Sequence, residues 1–305
     1  MSEESLPPFR GIIPPVVTPL SDAEELDEAG LERLVDHLIE GGVHGLFMLG
    51  SNGEGPSLDE KVQRRLVERT CRQTAGRLPV LMGISHTSLS KSVAASHIAA
   101  DAGCTAVVAT PPYYMPLDQD ELLSYFRQLA RRVPLPLVLY NFPILAKVAF
   151  DPATFKLLLD EPNIVGIKDS SGNLDYFTEI VRVANQRPGF SLLAGTEAQL
   201  SQVIKLGGHG GVAGGANVWP QMMVGLYEAI WAEDHAGVSY WNGKVAEFGE
   251  IYRVAGDRFS AVIAGLKTAL AIRGICSGVL ASPILPVTAA QKAQVKALLA
   301  ALELA

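Results

Sequence analysis

The sequence predicts a parallel (β/α)8 barrel followed by a small C-terminal helical appendage. Eight short apolar runs alternate with amphipathic helical segments across residues 12–232, the pattern of parallel strands joined by crossover helices. No glycine-rich nucleotide fingerprint follows the first run, which counts against a doubly wound sheet, the competing architecture. Beyond Pro220 the strand-like runs cease and only helical periodicity continues.

In chain order the strand candidates are 12–18, 45–50, 79–85, 105–110, 137–141, 164–169, 191–195 and 211–214. Between them, Leu31, Leu34, Val35 and Leu38 fall on one face of the first helix, and Val62, Leu66 and Val67 on one face of the second. Ser57-Leu-Asp-Glu60 reads as a capping box, and Asp118-Gln-Asp-Glu121 has a similar cap-like spacing. Asp151-Pro152 places proline at the first helical position, where its missing N–H has no intrahelical partner to lose. Gly41 and Gly103 stand where glycine C-caps are expected. Further helices are expected over 222–232, about 238–254, about 260–272 and from Ala289 onward, separated by Gly256-Asp257, Gly274 and Ser282-Pro283. The expected domains are an extension over 1–10, a catalytic barrel over 11–232 and a helical domain over 233–305.

Composition bounds the function. The 305 residues are 48% apolar with 29 Gly and 19 Pro, as suits a many-looped globular chain with a large core. A net charge of −7, from 25 basic and 32 acidic residues without a basic tract, argues against nucleic-acid or anionic-membrane partners. Cys71, Cys104 and Cys276 are odd in number and widely spaced, so they read as buried free thiols in a reducing compartment. Residues 1–8 lack the cationic start and apolar core of a signal peptide, and no apolar run approaches the roughly 18 residues of a membrane span. A cytoplasmic, soluble protein is expected.

The chemistry concentrates at strand ends. In this fold the active site lies at the C-terminal ends of the strands. The sixth run leads into Gly166-Ile-Lys168-Asp169-Ser170-Ser171-Gly172-Asn173, so an apolar strand ends on a lysine. In a desolvated pocket a lysine loses its proton more readily and becomes a nucleophile toward carbonyl carbon. The second run ends in Gly50-Ser51-Asn52-Gly53-Glu54, the fourth in Thr110-Pro-Pro-Tyr113-Tyr114, and the fifth in Tyr140-Asn141-Phe142-Pro143. A Schiff-base enzyme needs an amine nucleophile, a proton shuttle and donors for the carboxylate of a 2-oxo acid. Lys168 can be the first and Tyr140 the second, with the Ser51 hydroxyl relaying between phenol and substrate. The amides of the Gly50–Gly53 turn can hold the carboxylate as an anion nest. Gly50, Ser51, Asn52, Gly195 and Val212 form the expected substrate-binding set.

On these motifs, with Pro14-Pro15-Val-Val-Thr18-Pro19 and Leu193-Ala-Gly195, the chain resembles the pyruvate-dependent lyases of the dihydrodipicolinate synthase and N-acetylneuraminate lyase family. The resemblance spans essentially the whole chain. It implies that Lys168 forms an imine with pyruvate, that Tyr140 is the acid–base, and that Ser51 joins a relay. It further implies that Tyr114 reaches a neighbouring subunit's site in a homodimer or homotetramer, without metal or organic cofactor.

Departures within the motifs bear on the substrate. Dihydrodipicolinate synthases usually read Gly-Thr-Thr-Gly-Glu and carry an arginine where this chain has Leu145; Ala146-Lys147 replaces the Thr-Gly that commonly follows. The Ser51-Asn52 and Lys-Asp-Ser forms look instead like aldolases of 4-hydroxy-2-oxoglutarate or of 2-keto-3-deoxy sugar acids. The expected partners are therefore pyruvate and an aldehyde, joined or released by an aldolase. Dihydrodipicolinate synthase is the alternative, a 2-keto-3-deoxy acid dehydratase a further one, and a non-catalytic 2-oxo-acid binder a third. Six histidines without ligand spacing argue against a metal aldolase. The Gly207-Gly-His-Gly-Gly211 stretch reads as close backbone packing before it reads as a phosphate site.

Overall fold

The computed structural model describes residues 8–21 and 25–304. Eight strands, β1 (Gly11–Ile12), β2 (Leu46–Met48), β3 (Val80–Gly83), β4 (Ala106–Ala109), β5 (Leu137–Asn141), β6 (Ile164–Asp169), β7 (Ser191–Ala194) and β8 (Gly210–Gly211), form one parallel sheet in the order β1-β8-β7-β6-β5-β4-β3-β2. A parallel bridge from Pro15 to Phe47 closes the ring between β1 and β2. Only amides that exist can pair there: Val16 N–H donates to the Phe47 carbonyl at 2.9 Å, and Phe47 N–H donates to that of Pro14 at 3.0 Å. This is the (β/α)8 barrel that the alternation predicted.

The first strand is much shorter than the expected 12–18. Pro14 and Pro15 lack the N–H a ladder needs, so the chain stays extended but pairs only through that bridge. At the eighth strand, a Cβ on Gly210 would lie 2.1 Å from the Gly11 carbonyl oxygen, so glycine is required for β8 to approach β1. That favours the packing reading of the 207–211 glycines.

The helices between strands are α1 (Glu28–Glu40), α2 (Glu60–Thr74), α3 (Leu89–Ala102), α4 (Gln119–Arg132), α5 (Pro143–Ala146), α6 (Pro152–Leu158), α7 (Leu174–Ala184), α8 (Leu200–Lys205) and α9 (Pro220–Trp231). The helix α1 buries Leu31, Leu34, Val35 and Leu38, and α2 buries Val62, Leu66 and Val67, the faces their spacing predicted. Asp118 and Glu121 form the expected reciprocal capping box of α4. Ser57 does not cap α2. It ends a 3-10 turn over Gly55–Ser57, and the Asp59 side chain accepts from the Val62 N–H instead. Gly103 adopts the left-handed cap conformation (φ 89°), whereas Gly41 stays right-handed and Gly42 (φ 77°) makes the reversal.

Past the barrel come α10 (His235–Phe248), α11 (Glu250–Arg253), α12 (Phe259–Ile272) and α13 (Ala289–Ala301). The helix expected over 238–254 is thus interrupted at Gly249. Of the expected N-terminal extension, residues 1–7 lie outside the described residues, as does nearly all of the segment read for a signal peptide. Phe9 is not a free extension: it is buried in the barrel interior, and its N–H donates to Ser191 Oγ at 2.9 Å.

Strand alternation separates two apolar layers. Ile13, Phe47, Leu81, Val108, Val138, Tyr140, Leu193 and Val212 fill the barrel, while Leu137, Leu139, Ile164 and Ile167 join the larger layer beneath the helices. Among the described residues no helix is long and apolar enough to cross a membrane.

Candidate active site at the strand ends

The strand ladder places the lysine. Tyr140 pairs with Lys168, and Asn141 with Asp169, across β5 and β6. Period-two alternation sends the first pair to one face and the second to the other. Lys168 is 4% exposed, and its Nζ lies 3.9 Å from the centroid of the Tyr140 ring and 5.2 Å from that of Phe47. Gly195 keeps the space beside it: a Cβ there would lie 1.8 Å from Ser170 Oγ and 3.1 Å from Lys168 Cε. Asp169 points the other way and accepts from Asn141 Nδ2 at 2.7 Å and from Ser171 Oγ at 2.8 Å. Burial raises its pKa and those hydrogen bonds oppose the rise, so it serves as a strut for the strand ends.

A cavity of about 570 Å³ opens over Lys168. The barrel contributes Pro15, Ser51, Asn52, Tyr140, Ser170, Gly195 and Val212 to its walls. The ends of β1, β2, β5, β7 and β8, remote in sequence, therefore meet the lysine of β6, and they bring Ser51, Asn52, Tyr140, Gly195 and Val212 of the expected set together. Gly50 does not line this cavity. It faces a second one of about 480 Å³ on the far side of Ser51 and Tyr140, which Tyr113 and Leu145 also line. Among the described residues no hydrogen bond joins the Ser51 hydroxyl to the Tyr140 phenol, so the expected relay is represented by proximity alone.

Tyr114 is 83% exposed on the β4–α4 loop and lines neither cavity, so within one chain it takes no part in the site. Leu145 turns to the second cavity. Lys147, in a left-handed conformation (φ 65°), is exposed, and its Nζ donates to the Ile144 carbonyl at 3.2 Å. It does not fold over the lysine's cavity.

Sequence reasoning missed the roof. Val245, Glu250, Tyr252, Arg253, Phe259 and Val262 close the cavity from α10, α11 and α12. It also missed Glu197, which follows β7 by three residues. Glu197 Oε1 accepts from the Tyr252 hydroxyl at 2.5 Å, and its Oε2 accepts from the Gly215 N–H at 2.9 Å. Burial pushes the Glu197 carboxyl above its usual range, against the lowering by these two donors. Burial and the neighbouring carboxylate push the Tyr252 phenol up, so it remains a donor at neutral pH. An acidic residue just past a strand end was the available signal for Glu197. Tyr252 had none, because it lies 55 residues further on.

Charge in this cavity is sparse. Its lining contains two basic side chains, Lys168 and Arg253, and Arg253 pairs with Glu250 at 3.0 Å at the exposed rim. Among the described residues no three His, Cys, Asp or Glu side chains gather where they could hold a metal ion. The thiols are free, but Cys71 is only half-buried, and its Sγ touches that of Cys104 at 3.7 Å.

The sequence model of the dihydrodipicolinate synthetase family matches residues 8–302. The structure of dihydrodipicolinate synthase from Bacteroides thetaiotaomicron superposes with a TM-score of 0.93 at 42% identity, covering 96% of this chain and 99% of that one. The structure of YagE, a prophage protein of that family from Escherichia coli K12 in complex with pyruvate, superposes with a TM-score of 0.92 at 32% identity, covering 98% and 100%. The probable 2-dehydro-3-deoxy-D-pentonate aldolase YjhH of Escherichia coli K12 is 36% identical over 80% of this chain and 82% of its own length.

Proposed function

The chain belongs to the dihydrodipicolinate synthetase family, and from that premise we propose that it releases pyruvate from a 2-keto-3-deoxy or 4-hydroxy-2-oxo acid by retro-aldol cleavage. It is an enzyme, a class I lyase of the Schiff-base kind. One observation supports the reading most: a buried lysine lies against the tyrosine paired with it in register, at the floor of a mostly apolar cavity into which Ser51, Asn52, Ser170 and Thr196 bring polar groups.

In this reading the Lys168 amine attacks the C2 carbonyl of the substrate. The carbinolamine loses its hydroxyl as water, with Tyr140 supplying the proton, and an imine forms. Removal of the C4 hydroxyl proton breaks the C3–C4 bond. Its electron pair passes into the imine as an enamine, and the aldehyde leaves. Protonation at C3 and addition of water at C2 then return pyruvate and the free amine. The substrate carboxylate is assigned to the Gly50–Gly53 turn, whose Ser51 and Asn52 reach the cavity. In the synthetic direction the same enamine adds to an aldehyde.

The cavity lining favours a hydroxylated tail. Thr196, Ser170, Asn52 and the Tyr252–Glu197 couple offer hydrogen bonds to hydroxyls. A second carboxylate would meet Glu197 and Glu250, with only the rim guanidinium of Arg253 to answer it. That supports the aldolase over condensation with aspartate semialdehyde, which wants a fixed guanidinium fork. The exposed Tyr114 supports a homodimer or homotetramer, and the thiol usage supports a cytoplasmic location. The test is a panel: pyruvate release from 2-keto-3-deoxy acids and 4-hydroxy-2-oxoglutarate, beside condensation of pyruvate with aspartate semialdehyde. Faster condensation than release would overturn the substrate reading. Absence of a pyruvate adduct on Lys168 after borohydride would overturn the chemistry.

A further inference from the structure

A buried ion pair joins the floor of the cavity to its roof. Glu54 and Lys267 are 2% and 0% exposed, with Lys267 Nζ 2.5 Å from Glu54 Oε2. The other carboxylate oxygen, Oε1, accepts the Ala281 N–H at 2.7 Å. Glu54 therefore spends both oxygens on the C-terminal helical segment, 213 and 227 residues away in sequence.

Such a pair is a poor device for stability. Removing two charges from water costs several kcal/mol each, and apolar residues of the same shape commonly serve the fold as well. Burial lowers the Lys267 pKa, and the Glu54 carboxylate opposes that shift. The pair is better suited to fixing geometry, since both partners must meet at one distance and direction.

The geometry it fixes is that of the carboxylate turn. Glu54 is the residue on which the Gly50–Gly53 turn ends, and it sits in the left-handed region (φ 56°). Its N–H donates to the Ser51 carbonyl at 3.1 Å, so a shift of Glu54 moves Ser51. From the opposite side Thr18 Oγ1 donates to the Gly53 carbonyl at 2.7 Å. The turn is held between these two anchors while Ser51 and Asn52 face the cavity. Lys267 belongs to α12, the helix whose Phe259 and Val262 roof the same cavity. One helix thus carries both the roof and the anchor of the floor.

We propose that Lys267, through Glu54, is a positioning residue that holds the Gly50–Gly53 turn in register with Lys168 for the carboxylate of the 2-oxo acid. The inference rests on the reading that Lys168 forms an imine with pyruvate and that this turn receives the carboxylate. It makes the helical appendage part of the binding apparatus of the barrel.

The test measures borohydride trapping of the enzyme as a function of pyruvate concentration, with circular dichroism and thermal melting as controls on folding. Two variants are compared: Glu54→Asp, which keeps the charge but withdraws it by one methylene, and the double variant Glu54→Gln/Lys267→Met, which removes both charges together. Both are expected to fold. Half-saturating pyruvate should rise about tenfold, the scale of one misplaced charge-assisted hydrogen bond, while the trapping rate at saturating pyruvate stays within about threefold of the parent. A purely structural pair would change melting and leave half-saturation alone. A folded variant with parental half-saturation overturns the proposal, as does failure of both variants to fold, which would assign the pair to stability. An untrapped parent enzyme sinks the imine reading itself and this inference with it, an outcome distinguishable from the variants' behaviour.

Discussion

Lys168 Nζ rests 3.9 Å from the centroid of the Tyr140 ring because the two residues are register partners on adjacent parallel strands. The contact is set by the ladder and not by loop conformation. The proposed nucleophile and proton shuttle are thereby carried on two of the most constrained elements of the fold. Lys168→Ala should abolish the borohydride-trapped pyruvate adduct while leaving the far-ultraviolet dichroism unchanged. Trapping on another lysine would refute the assignment.

Tyr140→Phe keeps the ring beside the Lys168 amine and removes only the hydroxyl. Since positioned acid–base catalysis is worth about 10²–10⁴-fold, kcat should fall by that order with little change in pyruvate affinity. Steady-state kinetics decide it. A loss below about threefold would make Tyr140 a packing residue.

Tyr252→Phe leaves Glu197 with one donor instead of two. Loss of a hydrogen bond to a carboxylate costs about 1.5–3 kcal/mol, so kcat/KM for a polyhydroxylated acid should fall roughly 10- to 100-fold. Pyruvate trapping, which needs no tail, should change little. Equal losses in both assays would place Tyr252 in the fold instead of in tail recognition.

Condensation with aspartate semialdehyde should proceed below about 10⁴ M⁻¹s⁻¹ in kcat/KM, the low end of ordinary enzyme efficiency. Leu145 is apolar and faces the second cavity, and Lys147 is tied to the Ile144 carbonyl, so neither offers the missing cation. A coupled condensation assay measures the value directly, and a larger one restores the synthase reading.

Two half-buried histidines supply a pH dependence. His44 Nδ1 accepts the Ile12 N–H at 3.2 Å, and His209 Nδ1 accepts the Leu192 N–H at 3.0 Å, both among the barrel strands. Burial lowers both pKa values below the ordinary 6.5. The unfolded chain then binds protons that the folded chain refuses. Their stabilising contribution is complete above about pH 6.5 and is lost as pH falls through the lower folded values. Urea midpoints should therefore drop between pH 7.5 and 5.5, and less so in a His44→Gln/His209→Gln variant. An identical drop in that variant would assign the effect to other groups.

Tyr114, exposed beside Met115 on the β4–α4 loop, should become buried in an oligomer. Sedimentation velocity at micromolar concentration should give a dimer or tetramer. A fully active monomer would contradict that role.

Much of this protein was legible in its sequence because the signals were local. The strands at 137–141 and 164–169 were readable to the residue, since a buried strand is a continuous apolar run and its partner's run sits a fixed crossover away. That Lys168, Tyr140, Ser51 and Asn52 would share one cavity could be read from the sequence because a barrel gathers strand ends at one rim whatever the loops do. The cap expected at Ser57 fell two residues on, at Asp59, while Gly41 is the C-cap of α1 as expected and only the left-handed turn passed to Gly42. Several adjacent residues there satisfy the same orphan amides and carbonyls, and only the backbone path selects among them. What the tertiary structure alone decided lies across distances that no pattern spans. Packing of the C-terminal helices over the strand ends created the roof and brought Tyr252 to Glu197 and Lys267 to Glu54, and the backbone path after β5 turned Leu145 and Lys147 away from Lys168. A strand's periodicity states which way its side chains point. It carries nothing about which remote helix will cover them, because that depends on the shape of the whole packed surface.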